Sequence, residues 1–233
     1  MLNAKKICSQ IQTLTEEMIN TSLCDDQNSP FFKDCSKEIQ EVTVNTYSNH
    51  MGDIVFKSIP YKEMYSKLDQ NRMFNLKMLD GALIQMQYLF RKDKIESHRL
   101  AFFPSPDLEQ FQNEPEIYRE DEIYSDILDK RVVSVPLRFD FDNGKDDNGK
   151  NIGRPIVHPV SHLTIGQYEN CRIPVSSALT PYQFLMFIIM NFYNTAYYSY
   201  HSHFSKHKDC FDITLFDEEK EIVNLCTPIY TYN

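Results

Sequence analysis

The sequence contains no tryptophan and only 6 glycines in 233 residues. Phosphate loops need glycine wherever the backbone must approach a phosphate closely, so this scarcity argues against a glycine-rich nucleotide fold. Neither a phosphate-loop nor a dinucleotide fingerprint occurs. There is no apolar run of about 20 residues, the length a membrane helix requires. The most apolar stretch, Phe184-Leu-Met-Phe-Ile-Ile-Met190, is closed by Gln183 and Asn191 and reads as a buried helix. The cysteines at 8, 24, 35, 171, 210 and 226 form no Cys-x-x-Cys unit, which removes the usual spaced zinc and redox motifs. Ser161 beside His162 lacks the glycine elbow of a serine nucleophile. The first residues carry no signal-peptide hydrophobic region. The expectation is therefore a cytoplasmic protein whose reduced thiols serve as small core hydrophobes.

Positive charge is also short. Lys and Arg total 24 against 33 Asp and Glu, a formal net charge of -9. Coating duplex nucleic acid requires a basic face, so this balance excludes a general nucleic-acid binder. It leaves room for a local basic pocket holding one phosphate, and it tolerates basic protein partners.

What is present suits a globular chain. Apolar residues make up 42% and charged residues 24%, enough for a substantial core. With no internal repeat and no Gly/Ser linker, we expect one α+β domain over 1–233, with 1–70 as an N-terminal extension packed on it. Residues 5–23 carry Ile7, Ile11, Leu14, Met18 and Ile19 at helical spacing. Asp25 to Ser36 reads as a loop, 41–47 and 53–59 as strands, and Pro60 opens a helix through about Asn71. Ala82 to Arg91 alternates, with Ala82, Ile84, Met86, Tyr88 and Phe90 on one fully apolar face. Ile95 to Phe103 returns antiparallel and is stopped by Pro104 and Pro106. Residues 104–121 read as an acidic connecting loop, a lid or a partner surface, and 122–130 as a short helix. Residues 131–142 and 156–166 read as two strands around a turn-rich tip at 143–149. Thr180-Pro-Tyr-Gln183 carries the capping-box pattern and starts a helix to about Tyr198. The tail 211–230 reads as a hairpin around Asp217-Glu-Glu-Lys220. The fold expected is an antiparallel sheet with helices packed on one side.

The hairpin of 131–142 and 156–166 gathers unusual polarity. Alternation places Arg138, Asp140 and Asp142 opposite the apolar Leu137, Phe139 and Phe141. On the returning strand, His158, His162 and Thr164 share one parity unless Pro159 breaks the register. Three uses fit such a face. His158 and His162 can act as acid and base around a phosphodiester or phosphoanhydride, with Asp140 orienting one imidazole and Arg138 or Arg172 holding the phosphate. Alternatively, His158, His162 and Asp140 supply the mixed N/O ligands of a divalent metal. The third use is binding of a protein partner or nucleotide without chemistry. Against all three stands an ordinary ladder of cross-strand hydrogen bonds and ion pairs. A second group, His201-Ser-His-Phe-Ser-Lys-His207 with Cys210, offers His203 and His207 at helical spacing for a metal.

The run His158-Pro-Val-Ser-His-Leu-Thr-Ile-Gly-Gln167, continuing through Arg172 to Ser177, resembles a bacterial family known as a conserved domain of unknown function. Leu137 to Asp142, Leu179-Thr-Pro181 with Asn191-Phe-Tyr193, and Arg99 to Pro106 resemble the same family. The resemblance covers the chain after about residue 75 and implies no activity; Thr164 and Gln167 are expected to bind substrate together with Arg138 and Arg172. The order of an Arg-x-Asp strand, a Pro- and His-rich segment and a final helix also resembles the layout of small bacterial toxins of toxin–antitoxin pairs. That layout suggests a nuclease-like or nucleotide-acting effector in a toxin–antitoxin or phage-defence setting. The rival expectation is a non-catalytic, antitoxin-like subunit of a complex.

Overall fold

The computed structural model describes residues 2–44, 59–106, 135–146, 148–168 and 170–228. The calls for a strand at 53–59 and a helix at 122–130 fall wholly or almost wholly outside these residues, as does most of the acidic loop 104–121.

The sheet contains β1 (Cys24–Gln27), β2 (Phe31–Asp34), β3 (Ile39–Thr43), β4 (Leu76–Met78), β5 (Leu83–Arg91), β6 (Lys94–Phe103), β7 (Leu137–Asp142), β8 (Ser161–Ile165) and β9 (Ile173–Pro174). Its order is β1-β4-β5-β6-β7-β8-β9, with β3 also paired to β5 and β2 to β3. Every strand pairing in it is antiparallel. The helices are α1 (Ala4–Asn20), α2 (Tyr61–Gln70), α3 (Pro181–Phe192), α4 (Asn194–Tyr200) and the single turn α5 (Asp217–Lys220). The expected α+β class with an antiparallel sheet holds.

Strand β5 organises the layers. Its apolar parity, Ile84, Met86, Tyr88 and Phe90, packs into one cluster with Ile7, Ile11, Leu14 and Met18 of α1 and with Phe184, Leu185, Ile188 and Ile189 of α3. Leu100, Phe102, Leu137, Phe139 and Leu163 extend this buried layer along the sheet. One edge of β5 is shared, since β4 pairs at Leu83 and Ile84 while β3 pairs from Tyr88 to Arg91. Between them the Met86 amide donates to the side-chain oxygen of Asn75, so the gap leaves no orphan donor there. On the opposite face, α2 covers only one end, where Met64, Tyr65 and Leu68 meet Leu83, Ala101 and Phe103. Among the described residues nothing else covers that face, and the opening they leave holds the site described below.

The structure corrects several local expectations. The 25–36 loop instead contributes to β1, which pairs with β4, and to β2, where the half-buried Phe31 and Phe32 lie opposite Thr43 and Val42. The expected helix to Tyr198 breaks at Tyr193, whose φ of -133° and ψ of 56° are not helical. Its buried hydroxyl donates to the Asp80 carboxylate, a tertiary partner that outweighs the local helical preference. Among the described residues the terminal hairpin does not form. Residues 211–227 instead cross the end of the sheet through isolated bridges, Ser177 to Ile213 and Val175 to Leu225. All six cysteines are free, but only Cys8 is buried, while Cys35 and Cys226 are exposed. Among the described residues no helix is long and apolar enough to cross a membrane.

Candidate functional site

The open face is a cleft of about 1000 Å³ floored by β5, β6, β7 and β8. Register places one polar residue from each strand in a single row: Gln87 opposite Arg99, Arg99 opposite Asp140, and Asp140 opposite His162. A parallel row sets Ala101 opposite Arg138 and Arg138 opposite Thr164. Alternation alone explains this face, since Leu137, Phe139 and Phe141 occupy the buried parity of β7.

Asp140 is the hub. One of its oxygens accepts from Arg99 Nε at 3.1 Å and the other from Arg138 Nε at 2.5 Å. Burial pushes the carboxyl pKa up, but the Arg138 and Arg99 guanidiniums outweigh it and hold the group below the ordinary carboxylate range. His162 Nε2 lies 3.9 Å from the second oxygen, too far for a hydrogen bond and close enough for a strong field. His162 Nδ1 is 3.0 Å from the Pro159 carbonyl. A carbonyl oxygen only accepts, so Nδ1 carries the hydrogen, and in the neutral ring the lone pair sits at Nε2, facing Asp140. Burial lowers the His162 pKa, partly offset by Asp140.

His158 reaches the cleft differently from the expectation. It does not lie on a strand with His162. Strand β8 starts only at Ser161, and His158 closes a five-residue turn by a two-way backbone bridge with Arg154. Pro155 and Pro159 have no N–H to continue a ladder, and Val160 turns to the buried cluster with Phe141 and Ala178. The register break at Pro159 is thus real. The two rings nonetheless meet edge to face, with centroids 5.3 Å apart. Burial lowers the His158 pKa, and Arg172 lowers it further. Its Nδ1 is buried and has no hydrogen-bond partner among the described residues.

The remaining expected residues gather at the same cleft. Thr164 is buried beside Arg138, and Arg172 lines the wall near both imidazoles. Gln167 is exposed at the rim, where its amide donates to the Ile59 carbonyl at 3.1 Å. Gly166 ends β8 with a φ of +66°, a left-handed turn that suits glycine. Arg99 was missed by sequence reading, although alternation in 95–103 sets it on the face opposite the apolar Leu100 and Phe102. His98 was missed as well; it lies on the buried face between Tyr88 and Phe141, accepting from the Leu179 amide at 3.0 Å.

The metal arrangements find no support in the geometry. No group of three His, Cys, Asp or Glu among the described residues is placed to hold an ion. Both Asp140 oxygens face guanidiniums. His203 and His207 do not share a helix, because the 3-10 turn His201–His203 gives way to extended backbone at Phe204.

A family model of uncharacterised conserved proteins, DUF2290, matches residues 23–227. The chain belongs to the DUF2290 family. The match begins well before residue 75, so β1 to β3 and α2 fall inside the DUF2290 span together with the cleft strands. No curated protein and no solved structure matches the chain.

Proposed function

We propose that the cleft is an acid–base site acting on a phosphate ester or anhydride of a nucleotide. The observation that carries this reading is the juxtaposition of two imidazoles, 5.3 Å between centroids, beside a carboxylate flanked by Arg99 and Arg138 in one open cleft. His162, with its lone pair at Nε2, takes a proton from the attacking hydroxyl or water as the new P–O bond forms. The imidazolium so produced faces Asp140, which stabilises it. His158, once protonated, gives its proton to the leaving oxygen as the old P–O bond breaks. Both rings are held neutral by burial, so His158 must gain its proton when the anionic substrate enters and offsets the field of Arg172. Arg138 and Arg172 bind the phosphate, and Thr164 and Gln167 contact the rest of the substrate.

The net charge of -9 favours a small nucleotide over a long nucleic acid. The layout likeness to small toxins favours an effector in a toxin–antitoxin or phage-defence setting. Hydrolysis of nucleoside triphosphates, dinucleotides and a chromogenic phosphodiester tests the reading. The double variant His158→Ala/His162→Ala should lose about 10²- to 10⁴-fold in rate, the usual worth of positioned acid–base groups. Retained activity in that folded variant rules out catalysis at this site.

One observation favours a second reading, a non-catalytic subunit. Asp140 has both oxygens engaged within the sheet, one by Arg99 of the neighbouring β6 and one by Arg138 of its own strand, as in a self-satisfied ladder of ion pairs. In that case the wild type hydrolyses none of these substrates, and the double histidine variant still assembles with its protein partner.

A further inference from the structure

We infer that Glu219, far from the cleft in sequence, is the positioning residue that sets His158 against His162. Glu219 belongs to α5 and is 1% exposed. One carboxylate oxygen accepts from the Ile156 amide at 3.0 Å and the other from the Phe216 amide at 3.0 Å. The first bond lands on the least comfortable residue of the turn. Ile156 has a φ of +63°, a left-handed conformation that a β-branched side chain strongly disfavours. A backbone held there needs an external restraint, and the Glu219 bond acts on that same peptide.

The consequence is geometric. With Ile156 left-handed, Val157 points outward, 62% exposed, while the Arg154–His158 bridge closes and turns His158 onto the cleft wall. Gly153 lets the turn seat closely, since a Cβ there would lie 2.4 Å from Val160 Cγ2. Segment 211–227 fixes the other end of the clamp. Its Thr214 amide donates to the Ser176 carbonyl, and the Ser176 amide donates to Leu225. Glu219 therefore connects the sheet end at β9 to the turn carrying His158.

The inference rests on the acid–base reading only for its effect on rate; the placement of His158 is read independently by NMR. The charged and titratable groups facing His158 are Arg172, Asp142, Arg154 and His162. Imidazole C–H resonances followed against pH in the full chain report its surroundings. In the wild type His158 should titrate below the ordinary histidine value, because burial and Arg172 disfavour its charged form. Glu219→Ala should move that titration up toward 6.5, the ordinary value, and weaken ring contacts between His158 and His162. It should leave His98, on the opposite face, unmoved. Glu219→Gln retains one acceptor and should fall between. Adding Ile156→Gly to Glu219→Ala removes the left-handed penalty and should restore much of the wild-type titration. This second variant keeps the test decisive if Glu219→Ala alone is poorly folded. Unchanged His158 titration and ring contacts in folded Glu219→Ala overturn the inference. So does a double variant that folds but shows no recovery. A shifted His158 with no change in hydrolysis supports the positioning role and defeats the acid–base reading instead.

Discussion

At the scale of single residues, the buried imidazoles of His98 and His162 and the half-buried one of His158 have the clearest measurable consequence. His98 is 4% exposed, and burial holds its pKa down at about 3 against an ordinary 6.5. His158 and His162 are lowered by burial as well. A histidine whose folded pKa lies below its unfolded value is protonated first in the unfolded chain. Its stabilising contribution is complete above pH 6.5 and is lost as the pH falls toward the folded pKa. Each fully engaged group costs about 1.4 kcal/mol per pH unit within that window. Urea unfolding should therefore show the protein about 2 kcal/mol or more less stable at about pH 5 than at about pH 7.5. His98→Gln should show a shallower dependence. A flat profile between those pH values means that the rings are not buried in the neutral form. Strand parity made Arg138, Asp140, His162 and Thr164 legible as one face, because side-chain direction in a strand is a local property. His158 was legible only as a residue type, since its direction depends on a turn held from outside.

At the scale of elements, α3 is fixed by its start. Thr180 is fully buried; its hydroxyl accepts from the Gln183 amide at 3.2 Å, and the Gln183 side chain accepts from the Thr180 amide at 2.9 Å. Thr180→Ala should cost about 1–2 kcal/mol in urea unfolding, and Thr180→Ser should recover most of it. An unchanged midpoint in Thr180→Ala would show that burial of Phe184 and Ile188, not the cap, holds the helix. The capping pattern could be read directly because all its partners lie within four residues. The end of α3 could not, since Tyr193 answers to Asp80, more than a hundred residues earlier. The shortness of β8 follows from Pro159, which sequence reading had marked as a conditional break.

At the scale of the whole molecule, charge and the open face act together. A net charge of -9 repels polyanions, while three arginines, 99, 138 and 172, line one cleft. A fluorescent duplex oligonucleotide should show no binding even at low salt, whereas a labelled nucleoside phosphate should bind and be displaced by pyrophosphate. Duplex binding with a steep salt dependence would contradict this charge argument. The sequence by itself determined the α+β antiparallel layout, the buried and open parities of β5 and β7, and the start of α3. All of these rest on periodicity or on neighbours a few residues apart. Tertiary structure decided the cross-strand row from Gln87 to His162, the break at Tyr193, and the clamp of Glu219 on the turn of His158. Each depends on register or on a partner distant in sequence, and no local pattern encodes which distant group will arrive.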